Sequence, residues 1–401
     1  MTDVGGPAGA APGEPPASLL ERALAAAGEG IVIADARLPD MPLIYVNAAF
    51  EEVTGYSRAE ALGRNCRFLQ GPGTDPGALA QIRRAIAERR AVVVELLNYR
   101  KDGTPFWNRL TITPVFDAGG EVTHFIGVQS DVTARRLAQD RLAAANRQMR
   151  RDLEAAARIQ KSLLPEVAPA VAGVEVAWAF RPCQELAGDM LNVIPLDEQR
   201  LAFFVLDVSG HGVPAALLSF TLAHTLTATP GQSCLLQRRG EEWEATPPAE
   251  VAAELNRRFQ LDPAAPQFFT LFYALLTPST GEVRAVSAGH PLAILVPAEG
   301  APQRLGATGP PIGVSEVARF TEHELHLEVG DRLAVFTDGL PESLSPTEEE
   351  LGFERVLQAV ERYRGETLQD LVENLAEQGV GWARGAPHDD ISVVAFERRD
   401  G

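Results

Sequence analysis

The stretch Gly63-Arg64-Asn65-Cys66-Arg67-Phe68-Leu69-Gln70-Gly71 sets a thiol between an amide and a guanidinium, with a second amide four residues on. By itself a single cysteine is most often an inert, buried hydrophobe. The other two, Cys183 and Cys234, complete an odd and irregularly spaced set. Such a set builds neither a disulfide framework nor a CxxC zinc site, so a reducing cytoplasm is the expected compartment. Around the stretch, from Ile31 to Val132, short β-rich runs alternate with short helical ones. Strands are expected at Gly30 to Ala34, Leu43 to Asn47, Val92 to Arg100, Pro105 to Phe116 and Val122 to Asp131, with turns at Lys101-Asp102-Gly103 and Ala118-Gly119-Gly120. That pattern predicts an α+β domain, a small antiparallel sheet with helices on one face.

Ala134 to Leu164 contains neither Gly nor Pro and is rich in Ala, Arg, Leu, Gln and Glu, which predicts one long helix stopped by Pro165. Leu142, Met149, Ala156 and Leu163 recur every seven residues, and Asn146, Leu153 and Gln160 take the companion positions. This is a heptad seam with polar interruptions, of the kind that fixes register in a parallel two-stranded coiled coil. The plainer alternative is an amphipathic helix packed on its own domain. Beyond it a second domain is expected, with strands at Val174 to Phe180, Leu201 to Asp207, Thr270 to Leu276, Val283 to Ala288 and Arg332 to Thr337. Helices are expected at Pro214 to Leu226, Pro248 to Phe259 and Leu368 to Gln378, and a surface loop at Gly231 to Pro248.

With 401 residues, 45% hydrophobic and 22% charged, the chain has room for two buried cores. A net charge of −18 repels polyphosphate and anionic lipid, so neither nucleic acid nor membrane is an expected partner, while divalent cations remain compatible. The Gly/Pro/Ala-rich start lacks the basic n-region of a signal peptide, and apolar runs such as Leu201 to Leu206 fall far short of the ~20 residues that span a bilayer. The expected division is a disordered tail at 1–17, a first domain at 18–132, a helical linker at 133–165 and a second domain at 166–401.

The Cys66 stretch, taken with Tyr45-Val46-Asn47, Thr54-Gly55-Tyr56, Ile82-Arg83, Asn98-Tyr99, Phe106-Trp107-Asn108 and Gly127-Val128-Gln129, resembles the light-oxygen-voltage (LOV) branch of PAS domains. The resemblance implies bound flavin mononucleotide (FMN), with Cys66 as the thiol that adds to C4a of the flavin after blue-light excitation. It implies Arg67 and Arg83 on the phosphate, Asn65 and Gln70 on the ribityl side, and Asn98, Asn108 and Gln129 on the polar edge of the ring. A guanidinium fork suits phosphate, and side-chain amides match ring carbonyls and N–H groups in either sense.

Four aspartates of the second domain lie where strands or loops end: Ala187-Gly188-Asp189, Leu206-Asp207-Val208-Ser209-Gly210-His211-Gly212, Phe336-Thr337-Asp338-Gly339 and His388-Asp389-Asp390-Ile391-Ser392. One such Asp usually caps a turn; several together demand hard divalent ions. With Ala157-Arg158-Ile159-Gln160-Lys161-Ser162-Leu163-Leu164-Pro165, Leu255-Asn256, Phe269-Thr270-Leu271, Ala288-Gly289-His290-Pro291 and Pro311-Ile312-Gly313, the pattern is similar to PPM-type serine/threonine phosphatases of the SpoIIE/RsbU branch. The resemblance implies an α/β sandwich of two antiparallel sheets flanked by helices. It also implies two Mn²⁺ or Mg²⁺ ions on Asp189, Asp207, Asp338, Asp389 and the Val208 carbonyl, and a phosphorylated STAS-type anti-anti-sigma protein as substrate. Asp390 is not expected to be a ligand, and His211 and His290 are expected to be structural. One departure is Asn192, where the family pattern has a second aspartate. It keeps open the alternative of a light-gated binding module with a catalytically weak phosphatase fold. No phosphate-binding arginine is assigned, since the spacing of Arg181 to Asp189 fits no pattern.

Overall fold

The computed structural model describes residues 17–165, 171–231, 233–262, 266–385 and 387–400. The tail expected at 1–17 lies outside them except for Ala17, which opens a helix. Two compact units divide at Arg147/Gln148.

In the first unit, α1 (Ala17–Ala25) leads to β1 (Gly30–Asp35), β2 (Leu43–Val46), α2 (Ala48–Thr54), α3 (Arg58–Ala61), a 3₁₀ turn (Cys66–Leu69) and α4 (Pro76–Ala87). The strands β3 (Val92–Tyr99), β4 (Pro105–Phe116) and β5 (Val122–Asp131) follow. The five strands form one antiparallel sheet in the order β2-β1-β5-β4-β3. Alternation explains which face is inside: along β3 every second residue from Val92 to Asn98 is buried. Asn47 starts α2 by accepting the Phe50 N–H, and Gly55 ends it at φ 73°, a left-handed conformation that suits glycine.

The helix α5 runs Thr133–Lys161, shorter at its end than the sequence pattern because Ser162 to Leu164 form a tightened turn before Pro165. Its face carrying Leu142 and Met149 is open to solvent, with 63% and 61% of each residue exposed. Gln160, placed by the heptad pattern in the same seam, is instead buried within the second unit. The repeat fixes which residues share a face, but the last turn of the helix has a neighbour of its own chain.

The second unit holds β6 (Val174–Arg181), β7 (Met190–Pro195), β8 (Leu201–Val208), α6 (Val213–Thr225), β9 (Leu236–Arg239), β10 (Glu242–Ala245) and α7 (Pro248–Arg258). It continues with β11 (Phe269–Thr277), β12 (Glu282–Ala288), β13 (Ile294–Val296), β14 (Gln303–Arg304), β15 (Glu322–His326) and β16 (Arg332–Phe336). α8 (Phe353–Arg362), α9 (Leu368–Ala383) and β17 (Ile391–Arg398) complete it. Two five-stranded antiparallel sheets, β15-β12-β11-β8-β7 and β14-β13-β16-β17-β6, enclose a shared core. Phe203 of β8 meets Phe396 of β17 across it at 4.0 Å between ring centroids. α6 and α7 cover the outer face of the first sheet, and α8 and α9 that of the second. Every residue of β8 is therefore buried, as its unbroken apolar run requires.

The loop expected at Gly231 to Pro248 contains the β9–β10 hairpin, which pairs in register from Leu236↔Ala245 to Arg239↔Glu242. Its polar, solvent-facing residues carry no burial signal in the sequence. Among the described residues no helix is long and apolar enough to cross a membrane.

Candidate functional site

The 3₁₀ turn at Cys66 is capped by its predecessor: the Asn65 side chain accepts the Arg67 N–H at 3.0 Å and donates to the Asp40 carbonyl at 2.6 Å. This cap turns the Cys66 side chain toward a cavity of about 540 Å³, within the size range of ligand pockets. All eight residues singled out in the first domain, Asn65, Cys66, Arg67, Gln70, Arg83, Asn98, Asn108 and Gln129, line this one cavity. The rest of its wall is mostly aliphatic, with Val32, Leu43, Ile82 and Leu96 among the side chains that would face a flat aromatic body.

The polar side chains form a relay. Asn108 Nδ2 donates to Asn98 Oδ1 at 2.9 Å and to Gln129 Oε1 at 3.2 Å, and Gln129 Nε2 donates to Cys66 Sγ at 3.3 Å. Asn108 Oδ1 is buried without a partner. An orphaned acceptor in an otherwise satisfied amide cluster is costly unless a ligand supplies a donor, and the N–H of a flavin ring is such a donor. The cavity therefore fits a flavin. Burial pushes the Cys66 thiol up to about 11, against the opposing effect of the Gln129 hydrogen bond, so the sulfur keeps its proton. Arg67 stands at the mouth, paired with Asp40 at 2.6 Å.

Gln129 lies four residues ahead of α5. That helix is tied to the sheet where it begins: Thr133 Oγ1 accepts the Trp107 N–H at 2.9 Å, Asp131 pairs with Arg100, and Arg136 pairs with Glu95 while lying 3.9 Å over the Trp107 ring.

In the second unit the four aspartates come from the ends of β8 and β16 and the starts of β7 and β17. Glycines allow the approach: a Cβ on Gly339 would lie 2.0 Å from the Asp390 carbonyl, and one on Gly188 would lie 2.9 Å from the Val208 carbonyl. Asp189 lies close enough to Asp207 for their charges to interact, and its Oδ2 accepts from Thr337 Oγ1 at 2.8 Å and Ser392 Oγ at 2.6 Å. Burial, then the charges of Asp338, Asp389 and Asp390, pushes Asp207 up to about 8. Burial, Glu342 and Asp389 bring Asp338 to about 6, and burial with Asp207 and Asp390 raises Asp189. Asp389 is raised as well, chiefly by burial. Carboxyls raised by burial and by one another's charge are a donor set suited to hard cations.

The four do not close into one tight cluster. Among the described residues, the three prospective ligand atoms found within 4.8 Å of one another come from Cys183, Asp389 and Asp390. Two of these are committed elsewhere. The Asp390 carboxylate accepts the Cys183 and Gly188 N–H groups at 2.8 and 2.7 Å, and burial with the Asp390 charge pushes the Cys183 thiol up to about 12. Asp390 is thus a brace for the segment bearing Asp189. Together with Thr337 and Ser392 it belongs to the site's support, a role the sequence does not reveal; adjacency to Asp338 and Asp389 is the available signal.

Arg181 is engaged with Glu373 and Glu377 of α9, the latter at 3.0 Å, and so serves the sheet–helix packing. Asn192 lies within β7 with its Oδ1 accepting the Val193 N–H. His290 pairs with Thr270 Oγ1 at 2.9 Å, and burial lowers it to about 3, so it stays neutral. A second cavity of about 280 Å³ opens beside Asp338 and Glu342 and is lined also by Arg304 and Thr308.

Residues 197–399 match the family described as Stage II sporulation protein E (SpoIIE), and residues 28–134 match the PAS domain. A blue-light-activated histidine kinase of Rhizobium johnstonii is 54% identical over 106 residues, 26% of this chain and 31% of that protein. Phototropin-2 of Oryza sativa subsp. japonica is 51% identical over 114 residues, 28% of this chain and 13% of that protein. The chain thus spans less than a third of these curated relatives. The solved LOV domain of an Erythrobacter litoralis blue-light activated histidine kinase is 48% identical, covering 26% of this chain and 96% of that one, with a TM-score of 0.26.

Proposed function

The chain belongs to the stage II sporulation protein E family, with a LOV-type PAS domain ahead of its phosphatase domain, and on that premise we propose a blue-light-regulated, metal-dependent protein serine/threonine phosphatase. The observation that carries the reading is the pairing of a neutral cysteine at a flavin-sized cavity with a group of carboxyls raised by burial and by one another's charge. The substrate proposed is a phosphorylated STAS-type anti-anti-sigma protein in the cytoplasm. Its phosphoserine or phosphothreonine would approach by the cavity beside Asp338, where Arg304 offers a positive charge. Two copies would associate in parallel through α5, whose exposed Leu142 and Met149 lie on the heptad seam.

FMN held in the first cavity would supply a blue-absorbing ring with a carbon open to attack by a thiol. Cys66 Sγ faces the cavity with its proton in place, so sulfur can bond only as that proton leaves. Gln129 donates to that sulfur and accepts from Asn108, and an amide reverses its donor and acceptor ends by rotating. A change at the edge of a bound ring would therefore re-pair Gln129, which stands on the strand that leads into α5.

Two Mn²⁺ or Mg²⁺ ions would supply a water acidified at neutral pH and aimed in line at phosphorus. Asp207, crowded by the charges of Asp338 and Asp389, would hold the ions together with Asp189, Asp338 and Asp389. Asp189, held by Thr337 and Ser392, orients one side, and the Val208 carbonyl lies beside Gly188.

Release of phosphate from a phosphorylated STAS protein or p-nitrophenyl phosphate is expected to require Mn²⁺, to differ between light and dark, and to vanish in Asp207→Ala. Absence of Mn²⁺-dependent turnover in both light states would leave the light-gated binding module, the reading that Asn192 favours.

A further inference from the structure

Arg304, on the short strand β14, lines the cavity that opens beside Asp338, and its guanidinium lies 3.5 Å from the centre of the Phe353 ring. Stacking covers one flat face of the group and leaves its N–H edge uncovered, the edge that meets carboxylates and phosphates in pairs. Other arginines of the second unit are engaged by carboxylates: Arg332 by Glu397, Arg355 by Glu349 and Arg364 by Glu361. Arg304 makes no ion pair among the described residues, although Asp338 and Glu342 line the same cavity.

The wall around it is fixed. Phe353 opens α8 and packs on Phe336, two residues before Asp338, at 5.8 Å between ring centroids. Ser287 Oγ donates to the His290 carbonyl at 2.9 Å and lies 3.1 Å from Thr308 Oγ1, and the Gly289 N–H donates to the Gly309 carbonyl at 2.9 Å. Arg304 and the Asp338 carboxylate thus hold separate places in one cavity, too far apart for an ion pair yet both open to a single bound molecule.

That separation bears on the ligand. Ions held by Asp207 and Asp338 would claim a phosphoryl group, which leaves Arg304 for a second anion of the same molecule. In a protein substrate that anion is the carboxylate of a neighbouring residue. A chain of net charge −18 repels such a residue over most of its surface, so one uncommitted guanidinium inside the cavity discriminates.

We propose that Arg304, presented by Phe353, is a specificity-determining residue that binds a glutamate or aspartate beside the substrate's phosphoserine or phosphothreonine. The proposal rests on the phosphatase reading above and adds the acidic flank by which that site selects its substrate.

Two synthetic phosphoserine peptides test it, one with glutamates on either side of the phosphoserine and one with glutamines. With Mn²⁺ and the unsubstituted full-length chain, KM for the glutamate peptide is expected to be ~tenfold lower, the scale of one charge-assisted hydrogen-bonded pair. The advantage should shrink as salt is raised. In Arg304→Ala the two KM values should coincide, and Arg304→Gln, which keeps a stem over Phe353, is the second variant if the first does not fold. A glutamate advantage absent from the unsubstituted chain overturns the proposal. So does an advantage that survives the substitution, and if both KM values have then risen together, Arg304 belongs to the phosphoryl group instead. Turnover of neither peptide nor p-nitrophenyl phosphate by the unsubstituted chain, in light or dark, would sink the phosphatase reading and the proposal with it.

Discussion

In the sensor cavity the polar wall is made of neutral amides that pass hydrogen bonds among themselves and leave one acceptor, Asn108 Oδ1, without a donor. In the aspartate site carboxyls are buried beside one another and faced mainly by hydroxyls and backbone N–H groups. The first arrangement is nearly self-sufficient and lacks one hydrogen-bond donor. The second concentrates negative charge, and its carboxyls are raised by burial and by one another. A wall of neutral amides has no protonation state to change, whereas a carboxylate site changes protonation, and with it stability, according to what occupies it.

The largest test of this contrast is Asp207→Ala. Loss of the carboxylate common to the array should lower Mn²⁺-dependent phosphate release by more than about a hundredfold, beyond the 10–100-fold typical of residues standing behind ligands. Flavin binding should be untouched, so a loss of flavin absorbance in this variant would break the separation of the two sites.

Next is Cys66→Ala, expected to retain flavin because the aliphatic wall and amides remain, and to lose reversible bleaching together with the light effect on turnover. Bleaching that persists in this variant would remove Cys66 from the photochemistry.

The contrast also has a pH signature. Asp207 and Asp338, at about 8 and about 6 in the folded chain, bind protons that the unfolded chain has released above the ordinary carboxylate range near ~4. The folded state therefore holds more protons across that interval, and the metal-free chain loses stability as pH rises from about 4 to about 8. Mn²⁺ displaces those protons, so the stabilisation it confers should grow over the same interval. Thermal melting with and without Mn²⁺ across pH checks both slopes, and a metal-free Tm that climbs with pH would show the carboxyls to be ionised already.

The smallest effect sharpens the account of support. Ser392→Ala removes one of two hydroxyl donors to Asp189 and should cost about 1 kcal/mol, measured by the denaturant midpoint. A null result would assign the placement of Asp189 to Thr337 and the backbone.

Much of this was legible in the chain. Leu201–Val208 reads as a strand because it is buried on both faces, and Asp207 stands out at its end. β17 was missed although Ile391–Arg398 is almost wholly buried, because a short apolar run carries no period that separates strand from helix. α9 continues past Gln378 through Gly379, a residue that argues against helix locally. A Cβ there would lie 2.7 Å from Ile391 Cδ1, so tertiary packing decides it. The eight cavity residues could be gathered through a resemblance, while the bracing roles of Asp390, Thr337 and Gln160 could not, because hydrogen bonds across 27 to 207 positions leave no local pattern.

The protonated state of Cys66 has a bearing on durability. Alkylating agents and peroxides attack the thiolate, and a thiol held at about 11 offers very little of it at neutral pH. Under the proposed photochemistry, the sulfur that reacts on illumination would thus be kept idle in darkness toward the ordinary oxidants of a cell.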